Sequence, residues 1–249
     1  MKIWAHRGCS QRYPENTITS FSKALEIQGL TGIELDIQMT KDGELVVIHD
    51  ERVDRTTDGI GYVKDFTYQQ LRKLEIDAGS GKKERVPSVR EVLDLLEKRM
   101  QKGLLLNIEL KNSVVPYKGM EDKILGFIHQ RDLQEWVVYS SFYVKSMVEL
   151  SEMEPKASVG ILDIKVSDCF YKKRGCFGEK AGQVALHPSW REIDFTREQL
   201  DGQTVRAWFT GHLYPEKPGG KKLDMEMIED KGITDVFLNE PEMYLSEIC

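Results

Sequence analysis

The sequence predicts an α/β protein of the (β/α)8 barrel class, and three observations carry that expectation. Eight short segments centred on Ile3, Ile33, Leu106, Val138, Val159, Val184, Val205 and Phe237 read as strands, each followed by helix or helix-like sequence. Eight such units in 249 residues match the length of one closed barrel. No G-x-G-x-x-G fingerprint follows the first strand, which weakens the doubly wound open sheet that the same periodicity allows.

The first strand, Lys2 to Gly8, ends in His6-Arg7-Gly8, and Asn16 or Thr17 is placed to cap a helix carrying Ile18, Phe21, Ala24 and Leu25. Gly32 to Asp50 is the central stretch. Ile33, Leu35 and Ile37 alternate with Glu34, Asp36 and Gln38, so both carboxylates share one face of a strand. Asp42-Gly43 marks a tight turn, and Glu44 to His49 reads as the returning strand. Pairing Lys41 with Glu44 sets a register in which His49 faces Asp36.

From Glu51 to Pro87 the pattern lapses into turn chemistry with one short helix, Thr67 to Leu74. A loop this long is seldom filler. Ser88 caps an amphipathic helix to Met100, and Leu104 to Lys111 forms the third strand, with Asn107, Glu109 and Lys111 on one face. The alternation then continues: helix Met120 to Gln130, strand Trp136 to Ser140, helix Val144 to Met153, strand Ala157 to Leu162, and a weak helix before Gly182. Next come strand Val184 to His187, a short helix near Thr196 to Leu200, strand Thr204 to Phe209, helix Leu223 to Lys231, and strand Asp235 to Leu238 before Pro241.

Composition excludes several classes of function. The chain is 40% hydrophobic and 31% charged, with no apolar run near the roughly 20 residues of a membrane span. A net charge of −6 argues against nucleic acid or anionic membrane surfaces as partners. The chain enters a strand at once, which leaves no room for a signal peptide. Cys9, Cys169, Cys176 and Cys249 show no paired metal spacing, so they are expected as free thiols in a reducing cytoplasm. Oligomeric state is left open.

In a closed barrel the C-terminal strand ends gather His6, Arg7, Glu34, Asp36, Glu109 and Lys111 at one mouth. Three carboxylates in a low-dielectric site repel one another unless a cation neutralises them, and an all-oxygen donor set suits Mg²⁺ or Ca²⁺. Arg7 and Lys111 fit a phosphoryl group, and His6 and His49 are a candidate acid and base.

Ala5-His6-Arg7-Gly8, Pro14-Glu15-Asn16-Thr17, Glu34-Leu35-Asp36, Thr40-Lys41-Asp42-Gly43, Val47-Ile48-His49-Asp50, Arg55-Thr56-Thr57 and Glu109-Leu110-Lys111 form an ordered set. With it, the chain to about Lys111 resembles the glycerophosphodiester phosphodiesterase family of cytosolic bacterial type. The second half is similar more loosely, through Ser140-Ser141-Phe142, Trp208 and the Pro241 region.

The resemblance implies a (β/α)8 TIM barrel as a single domain over 1–249, with the 51–87 excursion as the family's insertion after the strand-2 hairpin. It implies hydrolysis of small-molecule glycerophosphodiesters to an alcohol and glycerol 3-phosphate, a step in lipid and glycerol metabolism. It also implies a divalent metal on Glu34, Asp36 and Glu109, acid/base catalysis by His6 and His49, phosphate held by Arg7 and Lys111, and a substrate wall of Phe142 and Trp208. The nucleophile is either a neighbouring substrate hydroxyl or water. Two alternatives stand beside this. One is a phospholipase acting on lysolipids (lysophospholipase D) or inositol lipids with the same parts. The other is a non-catalytic phosphodiester-binding barrel, against which the retained histidines and carboxylates argue.

Two departures fall at the expected substrate rim and bear on head-group preference. The family usually has Thr-Asp or Thr-Asn before the last proline, where this chain has Leu238-Asn239-Glu240-Pro241, and the segment after Trp208 is long and rich in Pro and Gly. His212 in that segment and His129 on its helix read as surface residues, and the pattern assigns no role to His187 or Trp190.

Overall fold

A computed structural model describes residues 1–178, 184–209, 214–216 and 222–245. Eight parallel strands form the sheet: β1 (Lys2–His6), β2 (Gly32–Met39), β6 (Leu105–Leu110), β7 (Val137–Ser141), β8 (Ser158–Asp163), β9 (Val184–Pro188), β10 (Arg206–Trp208) and β11 (Asp235–Leu238). They run in the order β10-β11-β1-β2-β6-β7-β8-β9. Parallel bridges Leu186–Val205 and Ser189–Trp208 join β9 to β10, and the Leu186 N–H donates to Thr204 O at 2.9 Å, so the sheet nearly closes on itself. The short β3 (Leu45–Val47) pairs antiparallel with β2.

Side-chain alternation sorts the strands into an outer and an inner face. Ala5, Ile33, Leu35, Leu106, Ile108, Tyr139, Ile161, Leu186, Ala207 and Val236 form one large buried cluster with helix residues such as Phe21, Val92 and Leu96. Trp4, Val138 and Phe237, one position out of phase, form a separate cluster inside the barrel. Polar side chains fill most of the remaining inner positions, where Val, Ile and Leu are usual.

The helices are α1 (Ile18–Leu25), α2 (Tyr68–Leu71), α3 (Val89–Met100), α4 (Met120–His129), α5 (Val144–Met153), α6 (Val166–Phe177) and α7 (Met225–Asp230). Thr17, Thr67 and Ser88 each close a reciprocal capping box at the start of α1, α2 and α3. Because Thr17 is the cap of α1, Asn16 is left free to turn inward.

The excursion after β3 packs Val53, Val63, Leu71, Ile76 and Val86 against Val46 and Ile48 in a separate apolar cluster. It also holds a two-stranded ribbon of β4 (Ile76–Asp77) and β5 (Lys83–Glu84). No helix among the described residues is long and apolar enough to cross a membrane. Cys9, Cys169 and Cys176 are free thiols, and Cys249 lies outside the described residues.

The hairpin corrects the expected register. Met39 pairs with Leu45, and the Thr40 N–H bonds to Glu44 O at 2.9 Å, so the turn holds three residues and Gly43 has φ +84°. The Thr40 hydroxyl fixes this closure, accepting the Glu44 N–H at 2.9 Å and donating to Asp42 Oδ1 at 2.6 Å. Pairing shifts by one, and Ile48 rather than His49 lies against Asp36, with its N–H 3.1 Å from Asp36 O. His49 reaches the barrel mouth from beyond the end of β3.

Gly8 has φ +79°, and a Cβ there would lie 2.6 Å from the Ser20 carbonyl carbon and 2.7 Å from its oxygen. Backbone cannot swing aside as a flexible side chain would. Gly8→Ala is therefore expected to lower stability by about 2 kcal/mol or more, from φ strain plus displacement of α1, measured by urea denaturation.

Candidate active site

Strand ends and the loops after them bring the expected residues together. A cleft of about 220 Å³ is lined by His6, Arg7, Glu34, His49, Asn107, Glu109, Ser140, Phe142, Leu162, His187, Trp208 and Phe237. Asp36 and Lys111 stand directly behind this wall, with Lys111 Nζ 2.7 Å from Glu109 Oε1 and 3.7 Å from Asp36 Oδ1. Phe142 and Trp208 meet edge to face at 6.3 Å.

Glu34, Asp36 and Glu109 each offer an oxygen within 4.8 Å of the others, and all three are buried. Glu34 and Asp36 are alternate residues of β2, and β6 lies beside them with Glu109 level with Asp36. Glu34 Oε1 and Asp36 Oδ1 have no hydrogen-bond partner among the described residues. Burial, then the neighbouring Asp36 and Glu109, push the Glu34 carboxyl well above the usual range. Burial also opposes ionisation of Asp36, yet Arg7, His49 and Lys111 outweigh it and hold that carboxyl well below its ordinary value. Crowded oxygens with unmet lone pairs fit a hard divalent cation, so this triad could hold one.

Both candidate phosphate binders are paired with carboxylates in this structure. Arg7 Nη1 donates to Glu15 Oε1 at 2.9 Å, its Nε lies 3.2 Å from Asp36 Oδ2, and its backbone N–H donates to Glu34 Oε2 at 2.9 Å. Arg7 has φ +57° and Asn16 φ +58°, left-handed backbone unusual outside glycine. That conformation lets residue 7 serve Glu34 through its main chain and Asp36 through its side chain. Asn16 Nδ2 donates to Asp36 Oδ2 at 2.9 Å.

Each cleft histidine has one nitrogen committed. His6 Nδ1 lies 2.7 Å from Asn239 Oδ1, so Nδ1 carries the proton and Nε2 is left with a lone pair, 3.9 Å from Glu34 Oε2. Burial, then the Arg7 cation, push its pKa down to about 3, so the ring is neutral at pH 7. His49 Nδ1 lies 2.6 Å from Asp50 Oδ1. Asp50 is gripped by Arg55 through Nε at 2.7 Å and Nη2 at 3.0 Å, and the same guanidinium holds both oxygens of Glu15 at 2.7 and 2.8 Å. A continuous chain, His49–Asp50–Arg55–Glu15–Arg7–Asp36, thus ties both sides of the cleft together.

Glu15, Asp50 and Arg55 carry roles that the motifs do not reveal, and Asn16, a candidate helix cap by pattern, serves Asp36 instead. Asn239, in the segment expected at the substrate rim, orients His6. His187, left unassigned, lines the cleft, whereas Trp190 stacks on Phe209 at 5.0 Å. His129 lies on the surface of α4 with Gln134 and Glu154 as partners, and His212 is outside the described residues.

Comparison with known proteins gives this geometry a context. A glycerophosphodiester phosphodiesterase of Caldanaerobacter subterraneus subsp. tengcongensis is 37% identical over 247 residues, covering 98% of this chain and 96% of its own. One from Bacillus altitudinis is 41% identical over 220 residues, covering 83% and 85%. The fold matches an Oleispira antarctica phosphodiesterase solved with the product sn-glycerol-3-phosphate, at TM-score 0.74 and 24% identity over 98% of this chain and 94% of that one. It also matches a Silicibacter pomeroyi structure described as a putative glycerophosphoryl diester phosphodiesterase, at TM-score 0.77 and 21% identity over 97% and 90%. Residues 6–208 match the model of the glycerophosphoryl diester phosphodiesterase family, and this chain belongs to that family.

Proposed function

We propose that this phosphodiesterase hydrolyses small glycerophosphodiesters to an alcohol and glycerol 3-phosphate, with His6 and His49 as its acid/base pair. The observation that carries the proposal is the convergence, on one cleft, of two histidines with fixed tautomers and three crowded carboxylates. Asn239 and Asp50 each hold an Nδ1–H, so Nε2 of either ring is the atom available to take up or return a proton. One imidazole would deprotonate the nucleophile while the other protonates the departing alkoxide. Asp50 also stabilises an imidazolium on His49 when it forms.

Glu34, Asp36 and Glu109 would hold Mg²⁺ or Ca²⁺, which supplies charge stabilisation to the non-bridging phosphate oxygens. Occupation of the triad would relieve Arg7 and Lys111 of part of their role as counter-ions and leave their outward N–H groups for phosphate. Trp208 and Phe142 would pack the apolar edge of the substrate. The free thiols and the absence of a spanning helix among the described residues are in keeping with a cytoplasmic enzyme.

The test is choline release from glycerophosphocholine with Mg²⁺ or Ca²⁺, each against chelator. Release is expected with at least one ion and should fall about 100-fold or more on chelation. Equal release with and without chelator would reject the metal-dependent mechanism.

A further inference from the structure

The floor of the cleft holds two buried polar groups that acid/base chemistry and the carboxylate triad leave unused. His187, near the end of β9, is completely buried and packs on Phe237 with ring centroids 5.6 Å apart. Its ring lies across Gly160 of β8, where a Cβ would come within 2.2 Å of His187 Nε2, so only glycine at 160 admits the imidazole. Nε2 lies 3.2 Å from Arg206 Nη1. A guanidinium has donors only, so Nε2 is the acceptor and the ring proton of the neutral imidazole sits on Nδ1. Arg206 is anchored in turn, with Nε 3.5 Å from Asp235 Oδ1, which also accepts the Trp4 Nε1–H at 2.9 Å.

The chain Asp235–Arg206–His187 therefore fixes the tautomer from below. It leaves Nδ1–H buried and without a partner among the described residues. Asn107 is its complement. It sits one pleat repeat below Glu109 on β6, donates from Nδ2 to Ser140 Oγ at 2.9 Å, and has a buried Oδ1 with no partner among the described residues. A buried donor and a buried acceptor on two residues that line one cleft are costly to leave unmet.

We infer that His187 Nδ1–H and Asn107 Oδ1 bind a hydroxyl of the substrate's three-carbon arm, making them specificity-determining residues that favour polyol esters over plain alkyl esters. A hydroxyl accepts from one and donates to the other, whereas an alkyl group does neither. Phe142, Leu162, Trp208 and Phe237 line the same cleft and suit the C–H edge of such an arm. A volume of about 220 Å³ lies below the roughly 300–1,000 Å³ of pockets for larger ligands and fits a short polyol rather than an acyl chain. The inference rests on the cleft being a glycerophosphodiester site.

The test compares kcat/KM for glycerophosphocholine and for propyl phosphocholine, which has the same head group but no hydroxyl on its three-carbon arm. It also compares dissociation constants of glycerol 3-phosphate and propyl phosphate, by calorimetry on protein with and without divalent ion. The wild type is expected to favour the hydroxylated member of each pair by about 100-fold or more, and the binding pair decides, because a hydroxyl acting as nucleophile would by itself favour glycerophosphocholine in turnover. His187→Gln keeps a polar group near Nε2 but none at Nδ1, and should cut that preference about tenfold or more, the loss falling chiefly on the hydroxylated compounds. His187→Asn keeps an amide donor near Nδ1 and should restore most of it, and Asn107→Ala should act in the same direction as His187→Gln.

Equal wild-type preference for the two members of a pair overturns the inference whether or not any variant folds. So does a His187→Gln variant that loses the same factor on both. If the wild type releases no choline from either compound, the wider reading fails and this one with it, an outcome distinct from release without preference.

Discussion

His6→Ala and His49→Ala are each expected to lower kcat on glycerophosphocholine by about 10²–10⁴-fold, and the double variant by little more than the worse single one. The two rings line one cleft, each with a single nitrogen held by a neighbour and the other left to exchange a proton. When one proton transfer is missing, the other has little left to accelerate. The carboxylate triad, with an ion where it holds one, and Arg7 and Lys111 remain in every variant and set a shared residual rate. Steady-state kinetics at saturating ion and substrate decides the matter. Factors that multiply in the double variant would mean that the rings act in separate steps, and unchanged kcat in either single variant would remove it from the acid/base pair. Asp50→Asn is a weaker perturbation, since it keeps an acceptor for the His49 Nδ1–H but removes the charge that steadies an imidazolium.

Much of this site was legible because strand alternation is local. Glu34 and Asp36 sit two apart, as do Glu109 and Lys111, so their faces follow from the pleat alone, and the caps at Thr17 and Ser88 were equally local. What escaped depended on side chains from distant segments. Arg55 meets Glu15 across 40 residues, Asn239 meets His6 across 233, and the space for His187 exists only because β8 offers glycine at 160. The hairpin register was lost for a different reason. Asp42-Gly43 reads as a two-residue turn, but the Thr40 hydroxyl stabilises a three-residue closure that pattern alone does not reveal. His49 still reaches the cleft, because Asp50 and Arg55 position it rather than the ladder. The Leu238-Asn239-Glu240-Pro241 departure carries a related lesson: Asn239 works on a catalytic candidate, so that segment bears on proton transfer as well as on the rim.

Without a divalent ion on the triad, stability is expected to fall as pH rises above the ordinary carboxylate range, and both ion loading and Glu34→Gln should abolish that fall. In the ion-free protein the Glu34 carboxyl is held well above its ordinary value by burial and by Asp36 and Glu109. The folded state then binds a proton that the unfolded state has released, so stability falls as pH rises from the usual carboxylate range toward the raised value. One such group gives a slope of about 1.4 kcal/mol per pH unit. Asp36 acts in a separate window: its carboxyl is depressed, so its contribution is present above the ordinary value and is lost only as pH falls toward the depressed one. An ion on the triad requires Glu34 ionised, so loading releases the proton; the gain in ion affinity with pH cancels the loss of the ion-free fold, and stability of the loaded protein should stay level over the range where the ion-free protein weakens. At an ion concentration 100 times the dissociation constant, binding contributes about 2.7 kcal/mol. For a chain of this size that is roughly 5–11 °C in Tm. Glu34→Gln can keep the acceptor for the Arg7 N–H, seen at 2.9 Å to Oε2, but carries neither the proton nor the charge. It should therefore be as stable as the ion-free wild type at low pH, more stable than it at high pH, and almost indifferent to added ion. Thermal melts of both proteins across pH, with chelator and with ion, measure all of this. Parallel pH slopes for wild type with and without ion would show that the cation binds elsewhere.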